Sequence, residues 1–180
     1  MILPLRQQAT ALSLSIESMT ESQQELIRKV RDFVDRCKSL QLATVAQDGR
    51  PHASYAPFYR SDDGDFHVFV STLSSHTDNL SSGVASILLI EDESRTFQIY
   101  ARTRLGFSCE CVRMQPDDAN YQAVLDRMEQ RHGAVIQTLR TLADFRLFRL
   151  RPGQGRFVLG FGQAYEVTPA LDRLDHIGPS

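Results

Sequence analysis

Apolar side chains follow a helical period in the first strongly patterned part of the chain, from about residue 20 to residue 38. Several of them recur three or four positions apart, which predicts a helix with one face on a sheet: Leu26, Ile27, Val30, Phe33, Val34 and Cys37. Thr20 and Gln23 have the form of a capping box at its start. Residues 1–19 lack a continuous apolar core, so we predict a loose tail there and a single domain over residues 20–180.

The apolar period then changes to two, which is typical of strands. It predicts strands over residues 40–45, 51–59, 66–71, 84–90, 97–112, 145–150 and 156–167. Turn-forming residues lie between several of them, including a Pro-Gly-Gln-Gly sequence at 152–155 that predicts a final hairpin. Helices are expected after residue 74, over 116–132 and over 134–142. This order predicts a mainly β protein with added helices, an antiparallel barrel, with an open α+β sandwich as the alternative.

The last predicted strand has one nearly bare face. Taken as a single strand, residues 155–167 place Phe157, Leu159, Phe161 and Tyr165 on one side and Val158, Gly160, Gly162 and Ala164 on the other. Glycine inside a strand marks a bulge or bend, or a close approach by a ligand. Both interpretations stay open; the second is a smooth wall beside a flat cofactor ring, which makes Gly160, Gly162 and Gln163 candidate cofactor-binding residues.

Charge and cysteine content narrow the classes of function. A net charge of −2 indicates no nucleic-acid partner and no anionic-membrane surface, and no apolar run approaches the length of a membrane span. A cytoplasmic location follows. Cys109 and Cys111 alternate with Phe97, Ile99, Ala101, Leu105 and Phe107, so they are predicted to be buried hydrophobic residues in the core rather than a metal-binding pair.

Two features of the sequence suit an anion. Arg102 and Arg104 are two residues apart, so a strand would project both from one face, where they would hold a phosphate or carboxylate, or face acidic side chains. Residues 71–80 offer hydroxyls and free backbone donors at a helix start, although capping alone explains the Ser and Thr residues. The five histidines are scattered and no nucleophile motif occurs, so any chemistry is expected to depend on a bound cofactor.

Five segments taken together resemble the FMN-binding split-barrel superfamily, which has the pyridoxamine 5′-phosphate oxidase-like fold. They are LQLATVAQDGRPHASYAPFY, VSTLSSHTDNL, LIED, ARTRLGF and LADFRLFRLRPGQGRFVLGFGQAYEV. Within that superfamily they are most similar to the haem-utilisation branch, and the resemblance spans about residues 40–167. It implies a six-stranded split barrel that forms a homodimer, with cofactor sites at the subunit interface.

The resemblance also implies roles for particular residues. In FMN-binding members the flavin phosphate is held at positions like Ser71, His76, Thr77 and Asn79, and by an arginine like Arg102 or Arg104. In the haem-utilisation branch, haem lies at the dimer interface, a histidine of the C-terminal tail ligates the iron, and an acidic residue tunes that histidine. Asp144 matches the acidic position, and His176 is the candidate iron ligand; these two are the candidate catalytic residues.

The chain departs from the family pattern at two positions. Asp78 stands where a basic residue is usual, and its carboxylate repels a phosphate. The branch's haem ligand usually lies a few residues beyond the position of His176, so His176 is either a shifted ligand or the neighbour of one.

Three functions are therefore expected from the sequence. The first is a haem-utilisation protein that binds haem and degrades it oxidatively to release iron, with an electron donor that the sequence does not identify. The second is an FMN-dependent oxidoreductase on the same fold. The third is a non-catalytic haem-binding or storage protein. The fold does not decide among them.

Overall fold

The computed structural model describes residues 22–178. Helix α1 covers residues 22–36, within the predicted 20–38. Thr20 of the expected capping box and the expected tail at 1–19 lie outside the described residues. None of the described helices is long and apolar enough to cross a membrane.

The other elements are strands joined mainly by short turns, with helices inserted between some of them. In chain order they are β1 (Ser39–Val45), β2 (Pro51–Arg60), β3 (Phe66–Ser71), α2 (Ser75–Leu80), β4 (Val84–Ile90), β5 (Arg104–Met114), α3 (Tyr121–His132), α4 (Val135–Arg140), β6 (Phe145–Gly160), β7 (Gln163–Val167) and β8 (Leu174–His176). Short 3-10 turns occupy Glu93–Arg95 and Ile99–Ala101.

Six strands close into a barrel. In the sheet they follow the order β3-β2-β1-β4-β5-β6, and the first and last of these strands, β3 and β6, are also hydrogen-bonded to each other. Every pairing is antiparallel. The predicted six-stranded antiparallel barrel is therefore confirmed, and the open sandwich is wrong because β3 and β6 are hydrogen-bonded to each other. Strands β7 and β8 extend the sheet beyond the barrel from β6.

Two apolar clusters hold these elements together. The larger fills the barrel and includes one face of α1, through Val30, Phe33 and Val34. The smaller lies outside the barrel wall, where Phe69 of β3 and Leu147 of β6 pack under α3 and α4. Helices α3 and α4 thus cover the outer face of β3 and β6 at this point.

The expected turn at 152–155 is wrong, because β6 runs through it without interruption. Pro152 is buried opposite Cys109, next to a register shift in β5, so the proline and glycines bend a long strand instead of reversing it. The reversal comes later, at Gly162, whose φ of 67° suits glycine. Residues 155–167 are consequently two strands of a hairpin, with Phe157 opposite Tyr165, and the register shift after Val158 agrees with the interpretation of a bulge.

The expected strand over 97–112 begins too early. Strand β5 starts at Arg104, and the alternating residues before it belong to a loop in which Phe97 is fully exposed. Its later part agrees with the prediction, because Cys109 and Cys111 are buried in the barrel core. Burial raises the pKa of each thiol to about 12, so both stay protonated, as expected of small buried hydrophobic residues.

Three histidines give the fold a dependence on pH. Burial lowers the pKa of His67, His76 and His132 below the ordinary value of 6.5. Below about pH 6.5 the unfolded chain therefore binds more protons than the folded one, and stability is lost as the pH falls. We expect urea unfolding to give a lower free energy at pH 5.5 than at pH 7.5, with His67 contributing at most about 1.4 kcal/mol per pH unit.

A variant of His132 that cannot titrate separates the contribution of this histidine to the pH dependence from those of His67 and His76. His132 Nε2 lies 2.8 Å from the Phe58 carbonyl oxygen. Glutamine at position 132 can donate to the same oxygen but does not titrate, so His132→Gln should flatten the loss between pH 7.5 and 5.5. Unfolding free energies that rise toward pH 5.5 would contradict this account.

Candidate functional site

The first candidate cluster lies where β3 ends and β6 begins. The Ser71 hydroxyl donates a hydrogen bond to Asp144 Oδ2, and the Thr72 amide donates to the Asp144 carbonyl at 2.9 Å. The β3–β6 register, which places Ser71 opposite Phe145, brings these residues together. Two predicted site residues that are 73 positions apart in the chain are therefore in direct contact.

The predicted residues of α2 are largely engaged within the chain. Thr77 Oγ1 donates to the Ser71 carbonyl at 2.5 Å, and Asn79 Nδ2 donates to Thr44 Oγ1 at 3.0 Å. Both side chains are buried. Since these polar groups already have partners, and Asp78 is exposed beside them, the segment is poorly arranged to hold a flavin phosphate.

His76 is also buried, but it faces a groove. Its Nδ1 lies 3.0 Å from Ser54 Oγ on β2, a partner that the sequence analysis did not identify. The groove has a volume of about 520 Å³, in the range of cofactor sites, and Ser71 and Phe145 also line it. Leu73, at its rim, is 90% exposed, which leaves an apolar surface for a partner or ligand to cover.

The larger cavity of about 580 Å³ contains none of the predicted site residues. It lies where β1 ends and where β2 and β4 begin, and apolar residues such as Val45, Pro51 and Val84 form most of its wall. Because chemistry depends on the groups that line a cavity and not on its size, the groove beside Ser71 is the better candidate.

Arg102 and Arg104 do not form the expected pair on one strand face. Arg102 precedes β5; its Nε donates to the Glu91 carbonyl, and its Nη1 lies 2.8 Å from Glu93 Oε1. Arg104 Nη1 donates to the Arg102 carbonyl at 3.0 Å. The alternative in which these arginines face acidic side chains therefore applies to Arg102, and both residues brace the loop before β5.

The second candidate cluster lies at the other end of β6. His176 belongs to β8, opposite Tyr165, whose ring it meets edge-on with centroids 5.3 Å apart. Its Nε2 lies 2.9 Å from the Gly162 carbonyl oxygen, in the turn between Gly160 and Gln163. His176, which the resemblance implied, and the glycines that were expected inside one strand thus lie together at an exposed turn.

The two clusters are separated by the length of β6. Asp144 immediately precedes this 16-residue strand and Gly160 ends it. At about 3.3 Å per residue, the path along the strand is roughly 50 Å. Within one chain, Asp144 contacts Ser71 and His176 contacts Gly162, so the two residues belong to separate clusters.

The comparisons with known proteins agree on a family. The family model described as pyridoxamine 5′-phosphate oxidase matches residues 26–159. A curated relative named heme oxygenase HutZ, from Vibrio cholerae, is 43% identical over 141 residues, which cover 78% of this chain and 80% of the relative.

Solved structures give the same picture. A crystal structure described as HutZ, the heme storage protein from Vibrio cholerae, has a TM-score of 0.70 and 38% identity, and the match covers 75% of this chain and 94% of that one. Campylobacter jejuni ChuZ has a TM-score of 0.75 and 29% identity over 84% of this chain. The match spans only 61% of the ChuZ chain.

Proposed function

The chain belongs to the pyridoxamine 5′-phosphate oxidase family, and from this premise we propose that it is a haem-utilisation protein that binds haem between two copies of the chain. The observation that carries the proposal is the position of Asp144, held by Ser71 beside an open groove, at the opposite end of β6 from His176. A second copy would supply the histidine, which in a single chain belongs to the other cluster.

The residues at both ends of β6 have the chemistry that a haem site needs. An imidazole that ligates iron through one nitrogen donates its other N–H to an acceptor. In the single chain that acceptor is the Gly162 carbonyl, which requires Nε2 to carry the proton and leaves the Nδ1 lone pair free. In the dimer we propose that Asp144 of a second copy takes this role. Haem would supply the oxygen chemistry, and the protein would supply the ligand, the acceptor and the apolar surface.

The flavin alternative has weaker support. Of the residues that would hold the phosphate of FMN, Thr77, Asn79 and Arg102 already have partners within the chain. Asp78 adds a negative charge at the same helix. The names of the relatives, heme oxygenase and heme storage protein, leave degradation and storage as the two forms of the haem proposal.

Haem titration of the purified protein tests the proposal. We expect a Soret band that saturates at one haem per chain. Addition of a reductant in air should then bleach this band if the protein degrades haem, and leave it intact if the protein only stores haem. A protein that is yellow as purified, retains FMN and gives no Soret band would refute the haem proposal and support the flavin alternative.

Dimer formation is a separate expectation. Several apolar side chains are exposed near the groove and the loop before β5, including Leu73, Phe97 and Tyr55. Their burial between two copies would stabilise the association. Sedimentation velocity at micromolar concentration should give twice the chain mass of 20.3 kDa. A monomer under these conditions would remove the shared site.

A further inference from the structure

A small polar cavity lies between the barrel wall and α3, apart from the proposed haem groove. Its volume is about 180 Å³. The strand register forms its floor, because His67 of β3 lies opposite Tyr59 of β2 on one side and opposite Arg149 of β6 on the other. The rings of Tyr59 and His67 stack with centroids 5.9 Å apart. This row of three side chains is fixed by the barrel itself.

Two buried nitrogen atoms in this floor have no hydrogen-bond partner among the described residues. His67 is only 4% exposed, and its Nδ1 makes no hydrogen bond. Arg149 Nε is also buried and without a hydrogen bond, although Asp65 Oδ2 lies 3.7 Å away. Buried polar atoms are nearly always hydrogen-bonded in folded proteins. Two such atoms on the wall of one cavity point to a ligand that supplies acceptors.

The opposite wall is the first part of α3. Asn120 occupies the N-cap position without making a side-chain cap, and Arg127 follows two turns later. The helix N-terminus and the arginine both favour negative charge at this end of the cavity. Asp63 also lines the cavity and is exposed.

We propose that this cavity binds a phosphate-sized oxyanion, held by Arg149, Arg127 and His67. At 180 Å³ the cavity is larger than a site for a single water and smaller than the roughly 300–1,000 Å³ of pockets for drug-sized ligands. It therefore suits a small ion such as phosphate or sulfate, whereas a haem or flavin is far too large. Arg149 Nε is a donor, and His67 Nδ1 is a donor once the ring is protonated, so both match the acceptor-rich surface of such an ion.

The charges around the cavity predict how binding depends on pH. Asp63 and Asp65 offset the charges of Arg127 and Arg149, and the other titratable group facing His67 is Tyr59. A bound dianion is therefore balanced best when His67 takes up a proton. Affinity for sulfate, which stays fully ionised between pH 6 and pH 8, should rise as the pH falls through this range.

Calorimetric titration of the haem-free protein with sodium sulfate at constant ionic strength tests the site. We expect saturable binding at one site per chain, at least tenfold weaker in Arg149→Gln and in Arg127→Gln, and tighter at pH 6 than at pH 8. Inorganic phosphate should compete with sulfate. Arg127 is exposed on α3, so its variant is expected to fold even if Arg149→Gln does not.

Arg151→Gln is the matched control. It removes the same charge from β6 two residues away, at a position that does not line this cavity, and it should leave sulfate binding unchanged. Equal affinity in wild type and Arg127→Gln, an equal loss in Arg151→Gln, or no saturable binding by wild type would overturn the proposal. Haem titration of Arg127→Gln should match wild type, so failure of this site and failure of the haem proposal are distinguishable.

Discussion

His176→Ala is expected to shift the absorption spectrum of the haem-loaded protein and to abolish turnover. The reason is that the variant lacks the imidazole proposed to ligate the iron, while β8 can keep its backbone pairing with β7. The measurements are the Soret position and the rate of bleaching with a reductant in air. A spectrum identical to that of wild type would exclude His176 as the ligand.

Asp144→Asn tests the other half of the same site. The amide keeps the shape of the side chain and can still accept from Ser71, but it lacks the charge that would polarise the histidine. We expect haem to stay bound with an altered spectrum and slower turnover. If the Gly162 carbonyl remains the acceptor in the dimer, Asp144→Asn will leave the spectrum and the turnover unchanged. That result would contradict the role given to Asp144.

Asp175→Asn is the control for this change. Asp175 is an exposed carboxylate next to His176, where it pairs with Arg173 at 2.9 Å. Its removal changes the charge near the proposed ligand without touching Ser71 or the groove. Wild-type behaviour of Asp175→Asn would assign the effect of Asp144→Asn to its position and not to a general loss of charge.

Gly155→Ala is expected to destabilise the fold by about 2–3 kcal/mol, the upper part of the range for an overpacked core. A Cβ at this position would lie 2.3 Å from Phe107 Cε1 and 2.8 Å from the Gly106 carbonyl oxygen. Phe107 is buried in the barrel and the carbonyl belongs to the β5 backbone, so neither can move freely. Chemical denaturation of wild type and Gly155→Ala gives the difference in their free energies of unfolding.

Gly153→Ala is the matched control for Gly155→Ala. It adds the same methyl group to β6 two residues earlier, where the nearest atom is the Ser108 carbonyl oxygen at 3.5 Å, an ordinary contact. We expect a change of less than about 1 kcal/mol. Equal stability of the Gly155→Ala protein and wild type would mean that β5 and β6 adjust locally, against the packing described here.

The barrel strands were largely predictable, because strands such as β1 and β4 bury alternate residues, while β3 is a short apolar run that is buried on both faces. Predicted and observed bounds coincide for β3 and β4. The prediction of strands and turns was wrong where alternating apolar residues or glycines had another structural cause. Phe97 and Ile99 alternate like strand residues but lie in the loop and 3-10 turn before β5, and Pro152 with Gly155 suggested a turn although they bend and pack a continuous strand.

The candidate site was predictable only in pieces. Ser71 and Asp144 were identified from separate motifs, and their contact depends on the pairing of β3 with β6, which local patterns do not encode. The cavity proposed to bind an oxyanion was not predicted at all, because Tyr59, His67 and Arg149 meet only through the register of three strands. In one chain, Asp144 precedes β6 and His176 lies beside the turn that follows it, and this placement supports a site shared by two chains.

Complementation between two variants tests the shared haem site most directly. Asp144→Asn and His176→Ala chains carrying different tags are co-expressed, and the mixed dimer is purified through both tags. If each site takes Asp144 from one chain and His176 from the other, one of the two sites in the mixed dimer is intact, and about half of the wild-type turnover and spectrum should return. A mixed dimer no better than either variant alone would contradict a site built from two chains.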